Sequence, residues 1–597
     1  MSKISKKIFF YLFVFLIIFT HQIIFQKFFS DNLGHDYEAF VPNLIFGKIW
    51  FQNNFLAIPW FAPSFCCGIP YFADPQSMFY SINQLVFLIF DPIQATKILF
   101  FILSIISFLG MFLLSKKLDF NKYTALLCAS LFLFNGFFVY RAIIGHLAYL
   151  TYVFIPLFCF FLIKSFEKQN KKKRIVNLII SSFIFANFFH SGSGPIILII
   201  TTSIICTILL YCIIKNNFKI FFNFFLSLFL GSLISLSKIV SSLYFLSNFP
   251  RVYSSTEFNS IASYIKIFFS SFFVKPDIEY FNENVTAMIN FGTHEIDFFI
   301  SIIPLLSLFL LFFINKKIFY FDYKNIRNLL ILLIIFFIPI FFNINLFDQN
   351  DLISKTPILK STWVQFRWMA IYILPLIILS GFLLENSKFS SRFKKYISFL
   401  FIIILISQNY LKDNSIYIET ASYNMKDSEI FNEKLNKNFK PRIHGPSALI
   451  NDDGTIKKIR NRNDAFYYSF SPLFCYQPIF GYGLEKLKTK NIKFDSRKIL
   501  NDKSILYYSN INESKNTITF FNPSCFLFPK ENNCLPGDIF QDDEKQNLIK
   551  FLNYEKLNFN LSKIQIISNY ISLISISLSL IILIYIFIKS FYRFKNN

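Results

Sequence analysis

The chain has 597 residues, 54% of them hydrophobic, 86 of them phenylalanine, and a formal net charge of +24. A mean hydropathy of +0.48 excludes an ordinary soluble protein, since soluble domains bury one core per roughly 150 residues between polar linkers. In a polytopic protein the basic surplus collects in cytoplasmic loops, so it predicts a lipid bilayer as partner and no nucleic acid.

The first apolar run, about Ile8 to Phe29, follows Lys3, Lys6 and Lys7. It lacks a small-residue cleavage site and is too long for a signal core, so it reads as a retained signal-anchor helix. The loop after it opens with Gly34-His35-Asp36-Tyr37-Glu38 and continues through Pro59-Trp60-Phe61-Ala62-Pro63, Gly68-Ile69-Pro70 and Ala73-Asp74-Pro75-Gln76. Asp36 stands where the backbone leaves hydrocarbon, a depth at which charges are costly unless solvated or paired. A carboxylate there can accept a proton from a hydroxyl or hold a divalent metal against a phosphate. The plainer alternative is a solvated acid, or a cap for the helix-like run that follows. Glu38 and His35 are its candidate companions. Cys66 and Cys67 are adjacent, which disfavours a bridge between them.

Further apolar runs centre near residues 105, 132, 155, 183, 204, 230, 306, 335, 376, 402 and 576, for about twelve spans in all. Alternate connections carry the bases: Lys116, Lys117 and Lys122; Lys168 and Lys171 to Arg174; Lys215 and Lys219; Lys316, Lys317, Lys324 and Arg327; Lys388 to Lys395. Both termini are therefore expected in the cytoplasm. The segments facing outward are about 30 to 95, 247 to 296, 343 to 366 and 410 to 562. The domain expectation is a bundle over 1–409, an extracytoplasmic mixed α/β or β unit over 410–562, and a last helix and tail over 563–597.

Three arginines fall on the outward side of this lysine-biased chain: Arg141, Arg251 and Arg367. Guanidinium matches phosphate oxygens in a bidentate fork, although each arginine alone is equally well read as an interfacial anchor. His146 opens a helix after Gly145, and Glu295 follows His294; both are candidate supports of a pocket, with a capping or packing role as the alternative. The Ser191-Gly192-Ser193-Gly194-Pro195 turn after His190 has no phosphate-loop lysine and is no nucleotide motif. Lys238 is the main charge near a helix centre. Cys525 and Cys534, nine residues apart, can close a small loop in an oxidising compartment. No Cys/His spacing suggests a zinc site, and metal use is left open.

The first helix followed by an acid, Pro42, the Trp-x-x-Pro, Gly-x-Pro and Asp-Pro-Gln loop, and later Pro357-Ile358-Leu359-Lys360 with Phe366-Arg367-Trp368, resembles the GT-C glycosyltransferase superfamily. The YfhO-like branch of bacterial membrane proteins is the most similar in pattern. That resemblance implies a GT-C-like helical bundle in a bacterial inner membrane. It implies a transferase taking sugar from a polyprenyl-phosphate donor to a cell-envelope glycan, lipid or protein. Its loop-one acid would serve catalysis, which maps onto Asp36. Family members often carry adjacent acids, whereas Tyr37 here separates Asp36 from Glu38. The competing expectation is a transporter or flippase of lipid-linked glycans, or a non-catalytic assembly protein.

Overall fold

An apolar run of about 20 residues can span hydrocarbon only as a helix, because each backbone N–H and C=O must find its partner within the segment. The computed structural model describes residues 3–167, 170–249, 257–286, 291–313, 323–344, 353, 355–356, 359, 364–449, 463–473, 475, 496–501, 504–508, 520–540 and 544–595. Among the described residues, eight helices are long and apolar enough to cross a membrane: Ile8–Phe28, Pro92–Lys117, Lys122–Ile144, Leu147–Phe166, Gly194–Lys215, Ile326–Asn343, Gln365–Asn386 and Lys563–Lys589. A ninth is added if Ile220–Ile234 and Leu236–Asn248, bent by 74° at their junction, cross as one. The chain is a multi-pass helical membrane protein. The other expected centres also lie in helices. Lys171–His190 and Ser391–Leu411 open on basic clusters, and Ile303–Leu308 is too short to span.

Burial grades across the bundle. Lys122–Ile144 is wholly enclosed, whereas the Lys563–Lys589 span is only 6% buried, with Ile567, Leu573 and Ile581 exposed as suits lipid. Lipid is as apolar as leucine, so helices here associate through close packing and interhelical hydrogen bonds instead of the hydrophobic effect. Ser181 and Ser227 share a bond of 2.8 Å, Asn223 donates to Ser165 Oγ at 3.0 Å, and Ser572 Oγ accepts from the Ser237 N–H at 2.9 Å.

The two ends of the bundle differ in chemistry. At one end the basic connections are tied by Lys117–Glu167 at 2.6 Å, by Lys215–Asp119 and by Asn121 Nδ2 donating to Glu385 at 2.8 Å. The first loop emerges at the other end, where the later polar segment is fastened onto it. Asn32–Leu33 pairs antiparallel with Tyr423–Asn424. Lys48 donates to Asn432 and Asn436 at 2.8 and 2.9 Å, and Asn54 Nδ2 donates to the Tyr554 carbonyl at 2.8 Å. A disulfide joins Cys66 to Cys475 with Cα atoms 5.0 Å apart. That partner lies 409 positions away and no local spacing signals it. Cys525 and Cys534 are also bridged, as their spacing suggests.

The polar segment holds a four-stranded sheet ordered Phe470–Pro472, Gly445–Leu449, Ser504–Tyr508, Ser496–Asn501. Its first pair is parallel and the other two are antiparallel. The Asp452-Asp453-Gly454, Thr517-to-Phe521 and Pro536-Gly537 stretches of this segment read as turn and strand signals. Phe521 bridges Ile539 and Gly537 takes a positive φ of 92°, while Asp452-Asp453-Gly454 and Thr517 to Thr519 lie outside the described residues.

Candidate functional site

Two glycines bring distant parts of the chain together. Gly145 ends the Gly136–Ile144 helix in the left-handed region, with φ +103°. A Cβ on it would lie 2.5 Å from the Tyr37 nitrogen, and one on Gly34 would lie 2.3 Å from Ile144 Cα. Only glycine permits this approach. The Asp36 N–H then donates to the Ile144 carbonyl at 3.0 Å, and the buried Tyr37 hydroxyl donates to the Ala142 carbonyl at 2.7 Å. Gly145 and His146 thus form the tip of a helical hairpin, seated on the residues that follow the first span.

Asp36 occupies the N-cap position of Tyr37–Asn54, but its side chain makes no capping bond. Instead Oδ2 meets His146 Nε2, while Oδ1 lies 3.6 Å from His35 Nε2. His146 likewise precedes the Leu147–Phe154 3₁₀ turn without capping it. Its Nδ1 lies 2.7 Å from Arg141 Nη1. Guanidinium can only donate, so Nδ1 accepts and Nε2 carries the hydrogen aimed at Asp36. The tautomer is fixed by the arginine.

Arg141 is fully buried. Its Nη2 donates to Glu295 Oε2 at 2.9 Å. Arg367, on the Gln365–Tyr372 3₁₀ turn, meets the same carboxylate twice: Nε donates to Oε2 at 2.9 Å, and Nη2 donates to Oε1. Its Nη1 donates to the Tyr149 hydroxyl at 2.6 Å. Both guanidinium carbons lie over the Tyr149 ring, 5.0 and 4.9 Å from its centre. Glu295 sits on the single turn Thr293–Ile296, where His294 Nε2 approaches Glu295 Oε1 to 3.6 Å. One continuous chain of polar groups therefore runs His35, Asp36, His146, Arg141, Glu295, Arg367, Tyr149.

The electrostatics follow from this wiring. Burial pushes the Asp36 carboxyl up, but His146, then His35 and His294, more than reverse it, so the acid is held well below the usual carboxylate range. Burial likewise opposes ionisation of Glu295, and Arg367 and Arg141 overcome it to hold that acid far down. Burial lowers His294 to about 3, against the pull of Glu295. The cluster sets two guanidiniums, Arg141 and Arg367, beside two carboxylates, Asp36 and Glu295. Two trios place one ligand atom each within 4.8 Å of one another: His35, Asp36 and His294, and His146, His294 and Glu295.

The structure gathers Asp36, His35, His146, Arg141 and Arg367, near the ends of four spans, around Glu295 on its separate turn. Arg141 and Arg367, readable from the sequence either as phosphate forks or as interfacial anchors, both donate to Glu295. Arg251 lies outside the described residues. The charge of Glu38 is felt at Tyr423, beside the strand pair. Tyr149 was not foreseen; the only sequence signal is its place three residues after His146, one turn along a 3₁₀ helix. Lys238 is buried and its ammonium is caged by the Phe72 and Asp74 carbonyls and Ser77 Oγ at 2.5, 2.6 and 2.6 Å, so it pins the first loop. Comparison with family models, curated proteins and solved structures yields no match.

Proposed function

We propose that the chain is an inner-membrane glycosyltransferase that moves a sugar from a polyprenyl-phosphate carrier to an envelope acceptor hydroxyl on the extracytoplasmic side. One observation carries this reading: a buried Asp36 shortly after the first span, oriented by His146, with two guanidiniums within the same hydrogen-bonded chain. The Oδ1 side, toward the part-exposed His35, is where an acceptor can approach. The two disulfides on this end of the molecule suit an oxidising compartment.

In the proposed step the acceptor oxygen bonds to the anomeric carbon as the carbon–oxygen bond to phosphate breaks, and the acceptor proton passes to Asp36 Oδ1. Polyprenyl phosphate leaves with one more negative charge. Neutralising Asp36 uncovers one net positive charge on the Arg141–Glu295–Arg367 group. That charge appears in the transition state and not before, which is the differential stabilisation catalysis requires. The polyprenyl tail would lie along the hydrophobic bundle, and the 410–562 segment, whose described residues bond to the first loop, would select the acceptor.

Asp36→Asn keeps the size and removes the base. Sugar transfer by purified protein from a polyprenyl-phosphate sugar should fall by about 10² to 10⁴-fold while protein yield holds. Transfer at the wild-type rate would remove Asp36 from catalysis. A flippase would leave the glycosidic bond of the donor intact in the same assay.

A further inference from the structure

Asp36 gives one oxygen to His146, its other oxygen faces His35, and His294 lies beside them. His35 Nε2 stands 3.6 Å from Oδ1, the His35 and His294 rings are 5.7 Å apart, and the three ligand atoms fall within 4.8 Å of one another. A tetrahedral zinc ion with bonds of about 2.0–2.1 Å needs its ligands about 3.3–3.5 Å apart. The His35–Asp36 separation already lies close to that. What remains is an approach of His294 from within 4.8 Å, to which His35, its side chain 27% exposed, has room to adjust.

We propose that His35, Asp36 and His294 form a binding site for a divalent metal of the zinc class. Two imidazoles and one carboxylate select Zn²⁺, or Co²⁺ as its spectroscopic substitute, over Mg²⁺ and Ca²⁺, which take all-oxygen shells. Three protein ligands leave the fourth position open. The surroundings are those of a built site: Asp36 Oδ2 meets the Nε2–H of His146, whose Nδ1 is itself fixed by Arg141, and such outer partners orient a metal-binding carboxylate. The metal would occupy the side of Asp36 from which a proton would be taken. It follows, on the sugar-transfer reading alone, that Zn²⁺ acts on this protein as an inhibitor.

The test uses full-length, tag-free protein in detergent, stripped with a chelator and titrated with Co²⁺. One equivalent should bind with the visible bands of a low-coordinate cobalt site, and should be displaced by Zn²⁺ but not by Mg²⁺. His294→Ala and His35→Ala should each weaken binding at least tenfold, whereas His190→Ala, elsewhere in the bundle against Phe72 and Tyr80, should not. Folding of each variant is checked by its melting temperature, and the part-exposed His35 keeps the test open if His294→Ala fails to fold. Well-folded protein that takes up no Co²⁺, or takes it up equally in both variants, would overturn the site. No sugar substrate enters these titrations, so their outcome is independent of the transferase assay.

Discussion

Glu295 is the residue on which the site turns, because its one carboxylate ties Arg141 to Arg367. Glu295→Gln would leave two buried guanidiniums facing a neutral amide. Breaking a buried ion pair from one side costs about 3–5 kcal/mol, so the melting temperature in detergent should fall well outside error. The sign of the pH dependence follows from the depressed carboxyl. Its stabilisation is present above the ordinary glutamate value of about 4.3 and is lost as pH falls through the lower folded value. The gap between wild type and Glu295→Gln should therefore be equal at pH 7 and pH 5 and narrow only below about pH 4. A gap that closes between pH 7 and 6 would contradict an ionised, arginine-held Glu295. Arg367→Lys is the companion experiment. Lysine cannot supply the fork that meets Glu295 twice and Tyr149 once, so the variant should lose stability before it loses any affinity for donor. Full stability with weakened donor binding would restore the phosphate-gripping role.

At the scale of elements, the site exists because a hairpin tip can touch the segment after the first span. Gly145→Ala adds a methyl 2.5 Å from the Tyr37 nitrogen at a backbone angle that disfavours any side chain. It should lower stability by about 1–3 kcal/mol and, on the proposed transferase reading, disrupt sugar transfer without changing any charged group. Near-wild-type melting and transfer in that variant would show that the close approach is dispensable. This contact also marks the limit of what sequence alone conveys. Asp36 was legible because an acid at the end of an apolar run is expensive unless it is used. Its partner His146 was visible only as an isolated histidine, since the pairing depends on two glycines about 110 positions apart. The closure of Arg141 and Arg367 on Glu295 was hidden for a similar reason: three elements that share no periodicity meet end to end. Tyr149 disappeared among the aromatic residues of a phenylalanine-rich chain. The helices, by contrast, were legible nearly everywhere, because in hydrocarbon a long apolar segment has no other way to satisfy its backbone.

For the whole molecule, the orientation proposed from the alternation of lysine-rich connections has a direct test. The free cysteines among the described residues are all buried, so background labelling should be low. Cysteine placed at the exposed Lys440 should react with an impermeant thiol reagent in intact spheroplasts, and cysteine at the exposed Lys173 should react only after permeabilisation. The reverse pattern would turn the molecule over and put the Asp36 site in the cytoplasm.

The Cys66–Cys475 bond also sets a schedule for biosynthesis. Its two sulfurs are 409 residues apart. At about 5–20 residues per second, a ribosome needs roughly 20–80 s to deliver the second after the first. Throughout that interval Cys66 waits beside Cys67, a second thiol that takes no disulfide in the finished structure. The first loop must therefore stay open while most of the bundle is inserted, and it can be locked only when the polar segment arrives. A cell that makes this protein needs a way to keep the wrong neighbour from being oxidised first. Half-made chains released before residue 475 would be left with an unfastened first loop and an unclaimed pair of thiols.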